Sequence, residues 1–196
     1  LARPSAPLII INSTDLGTGS RFTFTREFFG LLCADHDAYP LARAVAASSA
    51  APGLLSPIGL ENSAGSCGFQ TPDWLIEVAN GPDESIKQIT AKDMLSFLDR
   101  EKRPWLHLVD GGISDNLGLR AFWTWVSVAD GLETVLPSLS EPGPRHVVII
   151  LVNAMTKPEP EWLLFGSVPS LTETVTRTTE IEIGRGKRGR RAYSFD

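Results

Sequence analysis

Polar, chemistry-capable residues follow short apolar runs at three places in this sequence: Asn12-Ser-Thr-Asp15, Asp110-Gly-Gly112 and Asn153. Where such runs are strands of an open α/β sheet, ligands bind at their carboxyl ends. Asp110 is the sharpest candidate. A carboxylate at a strand tip lies at the margin of the core, where water is scarce. Gly111 and Gly112 permit positive φ and a close approach of backbone or substrate. Asn116 stands at the expected start of the next helix, where its side chain can cap or bind the loop. The competing reading of Asp-Gly-Gly is a plain turn. Asp15 also has two readings, an Asx-turn closing a hairpin or a wall of the active site. Asp115 lies in the loop after Asp110 and is expected to matter far less.

Other chemistries fall away on spacing. Gly184-Arg-Gly-Lys-Arg-Gly189 has the spacing of a dinucleotide fingerprint, but it follows no expected strand and leaves no room for a helix. Cys33 and His36 lack a second ligand pair, so no zinc site is expected. A metal-dependent hydrolase using Asp15 and Asp110 as ligands lacks further acids or histidines at strand tips. No metal and no cofactor are therefore expected. Gly-x-Ser-x-Gly is absent, and Ala64-Gly-Ser-Cys-Gly68 has the wrong register.

The elements that would hold these residues are readable in outline. Pro7 to Ser13 and Arg21 to Thr25 flank the turn chemistry of Asp15-Leu-Gly-Thr-Gly19, which predicts a β-hairpin. Pro40 to Ser48 is Ala-rich with proline at its start and predicts a helix. Thr90-Ala-Lys-Asp93 resembles a capping box opening a helix to about Glu101. Trp105 to Val109 and His146 to Asn153 read as strands, and Leu119 to Leu132 and Leu171 to Ile183 as helices. This alternation predicts an α/β domain with a mainly parallel central sheet. Residues 53 to 89, rich in Gly and Pro, fit no element and read as an irregular insertion or lid.

The 196 residues suit one domain with a real core, and the longest unbroken apolar run, Val147 to Val152, is far too short to span a bilayer. Cys33 and Cys67 allow one disulfide at most and do not identify a compartment. The net charge of −5 conceals a basic tail: five Lys and Arg from Arg185 onward leave the first 184 residues with 13 basic and 22 acidic residues. That acidic body argues against a nucleic-acid partner. The tail, residues 185 to 196, has two readings, a disordered solubilising end or an electrostatic attachment to anionic membrane surfaces. The chain is expected to be soluble or peripherally membrane-associated.

Three segments together carry a family resemblance. They are Asn12-Ser-Thr-Asp-Leu-Gly-Thr-Gly19 with Arg21-Phe-Thr-Phe, then Leu41-Ala-Arg-Ala-Val-Ala-Ala-Ser-Ser-Ala-Ala-Pro52 with Ser56-Pro57, and Val109-Asp-Gly-Gly-Ile-Ser-Asp-Asn116. In this order they resemble the C-terminal part of a patatin-like lipid acyl hydrolase domain; they anchor residues 7 to 120, and the domain is expected to span residues 1 to 184. The resemblance implies a three-layer α/β/α fold and a Ser–Asp dyad that hydrolyses acyl esters of lipids, with Asp110 as general base. Asp15, Gly111, Gly112 and Asn116 are its expected substrate-binding neighbours. The serine elbow and the oxyanion loop are not in this chain and are expected before Leu1, so the fragment is expected to be inactive. A carboxylate of ordinary pKa, about 3.9, is a weak base, and a dry pocket would make it a stronger one. The other function class open to the sequence is a non-catalytic lipid- or protein-binding domain derived from the same fold.

Overall fold

The computed structural model describes residues 9–82, 85–128, 148, 150, 168–175, 177 and 178. Four strands form one sheet: β1 (Asn12–Asp15), β2 (Arg21–Thr23), β3 (Ile58–Glu61) and β4 (Trp105–Asp110), in the order β2-β1-β4-β3. Seven mostly short helices accompany them among the described residues. Six are α1 (Arg26–Leu31), α2 (Leu41–Ser48), α3 (Asp73–Ala79), α4 (Ile86–Ser96), α5 (Gly112–Asp115) and α6 (Leu119–Val128), and the seventh covers 171–175.

The sheet corrects the expected fold class. Every one of its pairings is antiparallel, β1 with β2, β1 with β4 and β3 with β4, so it is not the mainly parallel sheet of a three-layer α/β/α fold. The described residues form an antiparallel sheet with helices packed on it, an α+β arrangement. The physical reason is that helical segments between strands do not fix strand direction: β4 returns beside β1, almost a hundred residues earlier in sequence, and runs against it. The expected strand at 146–153 lies outside the described residues apart from positions 148 and 150.

The predicted hairpin is present, but its first strand is the polar Asn12–Asp15 and not the apolar run before it, where Ile9 is exposed. Asp15 N–H donates to Ser20 O (2.9 Å) and Gly19 N–H to Asp15 O (2.8 Å), which closes the turn. Gly19 has φ +73°, a conformation that favours glycine. Register then sorts the side chains. Ser13, Phe22 and Asp110 stand opposite one another and share one face, while Thr14, Arg21 and Val109 share the other.

Phe22 is fully buried and anchors the core. Phe24, Phe28 and Phe97 meet its ring edge-on, with centroids 5.3–5.7 Å apart. Leu106 and Leu108, at period two on β4, complete this floor with Leu60 from β3. Helix α2 buries Ala44 and Ala47, whose small side chains let it lie close against the sheet. It begins after Pro40 as predicted.

The region expected to be an irregular insertion or lid is instead partly regular and packed. β3 and α3 lie inside residues 53–89, with Leu60, Asn62, Leu75 and Ala79 buried. Asn62 Nδ2 donates to Phe97 O (2.8 Å), and Cys33 and Cys67 are joined by a disulfide, tying this region to the body. Helix α4 starts before the Thr90 capping box that the sequence suggested. Ser85 is its N-cap, its hydroxyl accepting from Gln88 N–H (3.1 Å), and the helix ends at Ser96 and not near Glu101. No helix among the described residues is long and apolar enough to cross a membrane. The basic tail at 185–196 and the helix expected beyond residue 178 lie outside the described residues.

The join between β4 and α5 depends on one missing side chain. A Cβ on Gly111 would lie 2.3 Å from Asn12 O and 2.9 Å from Asn12 C, both backbone atoms of β1. Gly111→Ala should therefore cost roughly 1–3 kcal/mol or more, the range for overpacking. Gly17→Ala, whose Cβ would meet only the Asp15 carboxylate at 3.5 Å, should change stability by no more than about 0.5 kcal/mol. Urea denaturation of the two variants checks this. Equal midpoints would show that β1 yields freely at Asn12.

Candidate active site

Asp110 ends β4 and is half-buried. Its backbone is fixed from two directions. Asp110 N–H donates to Ala50 O (3.0 Å) and Gly111 N–H to Ser48 O (3.2 Å), so the segment leaving α2 grips the strand tip. From β1, Thr14 Oγ1 lies 2.8 Å from Asp110 O and 2.9 Å from Ser114 Oγ, and accepts from Ser114 N–H at 3.1 Å. The carboxylate uses Oδ1 to accept from Gly112 N–H (2.7 Å). No described residue hydrogen-bonds its Oδ2. Ser13, cross-strand from Asp110 and on the same face, is fully buried, and its hydroxyl has no hydrogen-bond partner among the described residues.

Gly111 and Gly112 do not need positive φ. Gly111 has φ −65°, and its value lies in close approach to Asn12. Gly112 faces Asp110 Oδ1 and Asn116 Oδ1, 3.0 and 3.3 Å from where a Cβ would stand. Asn116 is exposed and terminates α5 instead of opening the next helix. The residue that satisfies the start of α6 is Asp115, whose Oδ2 accepts from Arg120 N–H (2.8 Å). Asp110, Gly111, Gly112 and Asn116 thus converge on one turn.

Asp15 is engaged elsewhere. Its Oδ2 accepts from Arg103 Nη2 at 2.5 Å and from Thr18 Oγ1 at 2.8 Å. Arg103 in turn lies over the buried Phe97 ring, 4.5 Å from its centroid. The charge that a metal would draw from Asp15 is already compensated. Among the described residues no three His, Cys, Asp or Glu side chains gather at one point.

The sequence reading passed over a second polar centre. Arg21 Nη1 lies 3.9 Å from Asp115 Oδ2, and the two side chains are only 8% and 5% exposed. Burial lowers the Arg21 pKa, and the Asp115 charge opposes that. Asp93 on α4 is pushed up by burial, against the opposing charges of Arg103, Arg120 and Arg21. The available signal was Arg21 itself, an arginine beside the alternating Phe22-Thr-Phe24 of a core strand.

No protein-family model, no curated protein and no solved structure matches this chain. The patatin resemblance stands on its three sequence segments alone.

Asp110 and Asp115 should therefore behave in opposite ways. Asp115→Asn leaves the buried Arg21 charge without its ion partner and should lose about 3 kcal/mol. Asp110→Asn keeps an acceptor for Gly112 N–H and should lose no more than about 1 kcal/mol. Thermal melting of both variants near pH 7 checks the order, and its reversal would transfer the structural role to Asp110.

Proposed function

We propose that this chain carries the general base of a serine-dependent acyl-ester hydrolase acting on lipid esters. The observation that supports it most is the Asp110 carboxylate at the carboxyl end of β4, with Oδ1 oriented by Gly112 N–H and Oδ2 bonded to no described residue. A base needs that combination, fixed orientation with one oxygen left to take a proton. The resemblance of the three segments to patatin-like lipid acyl hydrolases supplies the reaction class.

In this reading a serine from sequence outside this chain attacks the acyl carbonyl carbon, and its proton passes to Asp110 Oδ2. Asp110 then returns the proton to the leaving alkoxide as the ester C–O bond breaks. In the second half water attacks the acyl-serine, giving a proton to Asp110, which passes it to the serine oxygen as the acyl–oxygen bond breaks and the acid is released. Oxyanion donors, also from outside the chain, would stabilise both tetrahedral intermediates by roughly 3–4 kcal/mol each. Asp110 needs no histidine if its carboxylate is held against the serine hydroxyl.

A second reading rests on the same hydrogen bond. Oδ1 accepting from Gly112 N–H is also what a turn-forming aspartate does. The domain would then be a non-catalytic lipid- or protein-binding module.

Two measurements separate them. The isolated chain should show no turnover of a short-chain nitrophenyl ester above buffer. Turnover abolished by a fluorophosphonate would mean that a serine of this chain is the nucleophile. In the protein extended to include a serine elbow, Asp110→Asn should lower kcat/KM by roughly 10²–10⁴-fold with little change in melting. Retention of more than about a tenth of the activity would remove Asp110 from the base role.

A further inference from the structure

Residues 63–69 cross the carboxyl end of α1 as a strap. Ser63 N–H donates to Leu32 O (2.9 Å), Cys67 is disulfide-bonded to Cys33, and the Phe69 ring lies on Gly30. A Cβ on Gly30 would stand 2.7 Å from Phe69 Cε2, so the ring finds its seat only because that helical position has no side chain. Past Ala64 the described hydrogen bonds stay within the strap, Ser66 N–H to Ser63 O (3.1 Å) and Gln70 Nε2 to Gly68 O (3.4 Å). The exception is Cys67 N–H, which donates to Cys33 Sγ (3.2 Å). Among the described residues, Cys67 and the Phe69 ring are thus what join residues 65–70 to α1.

The two ends of this link are built differently. Cys67 is exposed, between Gly65 (φ +82°) and Gly68 (φ +71°), whose missing side chains face open space, so the strap has a hinge on each side of its link. Cys33 is half-buried, with φ +51°, just past the end of α1. There Cys33 N–H donates to Gly30 O (3.1 Å) and Ala34 N–H to Phe29 O (3.0 Å), a helix closure whose left-handed residue is commonly glycine. A cysteine in that conformation is costly, and the link it makes accounts for its presence. We propose that the Cys33–Cys67 disulfide is a redox latch, which a dithiol opens at the exposed Cys67 sulfur, releasing residues 65–70 and lifting Phe69 off Gly30. The proposal is independent of the hydrolase reading.

The exchange runs in two steps. A thiolate of the dithiol attacks Cys67 Sγ, the Sγ–Sγ bond breaks, and Cys33 leaves as a thiolate that takes up a proton. The second thiolate of the dithiol then attacks the sulfur now bonded to Cys67. Cys67 is released and protonated, and the dithiol is left oxidised as a disulfide, so two electrons and two protons have passed to the cysteines. Opening stops at the flanks of the strap. Asn62 is held by its Nδ2 on Phe97 O (2.8 Å) and its N–H on Pro104 O (3.0 Å), and β3 by its pairing with β4. On the other side α3 is anchored by the buried Leu75 and Ala79.

The test follows the purified, oxidised chain before and after dithiothreitol by hydrogen exchange and by mass spectrometry of chymotryptic fragments, well below its unfolding transition. Reduction should raise amide exchange in residues 65–70 by about tenfold or more and open the Phe69–Gln70 bond to chymotrypsin, with β1 and β4 unchanged. Cys67→Ser, at an exposed position, should show the open strap without a dithiol and should not respond to one. Cys33→Gly should do the same, and its glycine suits the left-handed end of α1, which separates loss of the latch from loss of the helix end. Equal exchange of residues 65–70 in the oxidised and reduced chains would overturn the proposal. So would a disulfide that the dithiol reduces only under conditions where β1 and β4 exchange as well.

Discussion

The contact on which the rest of this architecture turns is the backbone approach of Gly111 to Asn12. A side chain at Gly111 would enter the peptide unit of Asn12, so β1 and β4 can meet with Ser13 opposite Asp110 only because none is there. That register brings Thr14 to the Asp110 carbonyl and to Ser114, which turns the chain from β4 into α5. The same point receives α2, through the carbonyls of Ser48 and Ala50. A strand pair, a helix exit and the start of a second helix are thus held at one place by backbone groups. Helix α5 is a single turn, too short to be stable alone, and these bonds are what shape it.

Charge is handled alike on the two faces of the hairpin. Asp15 pairs with Arg103, and Arg21 with Asp115. Both pairs are well buried, so their attraction mainly offsets the cost of taking the ions out of water. Their value is positional. Arg103 packs on Phe97 and Arg21 bonds Thr124 of α6, so each arginine joins the hairpin to a distant part of the chain. The aromatic floor around Phe22 supplies the burial that makes this arrangement favourable overall.

Much of this was legible in the sequence, and the failures have definite causes. The hairpin, α2 and β4 followed from turn residues, an N-terminal proline and an apolar run. Strand direction was not legible, because β1 and β4 pair across most of the described chain and no local signal records the sense of that pairing. β3 and α3 were hidden by the density of Gly and Pro around them. Pro72-Asp73 nevertheless opens α3, Asn80-Gly81 closes it, and Leu75 and Ala79 stand four apart on its buried side. The start of α4 was obscured by a competing pattern: Thr90 to Asp93 has capping-box spacing, but Ser85 and Gln88 hold the actual cap. At the site, the Asp110 turn was recognisable as a chemical motif, whereas the partners of Asp15 and Asp115 come from arginines about a hundred residues distant in sequence.

The two acids of the Asp-Gly-Gly-Ile-Ser-Asp turn show how far environment, and not residue type, assigns a role. Asp115 is enclosed and paired with Arg21, and through Oδ2 it holds the first turn of α6, so its charge is already used by the fold. Asp110 is half-buried, held through its backbone and through Oδ1, and without a cationic partner among the described residues. Next to it Ser13 keeps a buried hydroxyl with no partner among the described residues, an arrangement that costs about 1–3 kcal/mol when left unsatisfied. One strand pair thus holds a carboxylate oxygen and a buried hydroxyl that have no hydrogen-bond partner among the described residues. Such unmatched polar groups gather where a protein gives up stability for function. The buried groups of Arg21 and Tyr39 carry the same cost, so it is the oriented Asp110 carboxylate with its open oxygen that supports the proposed role of the β4 tip.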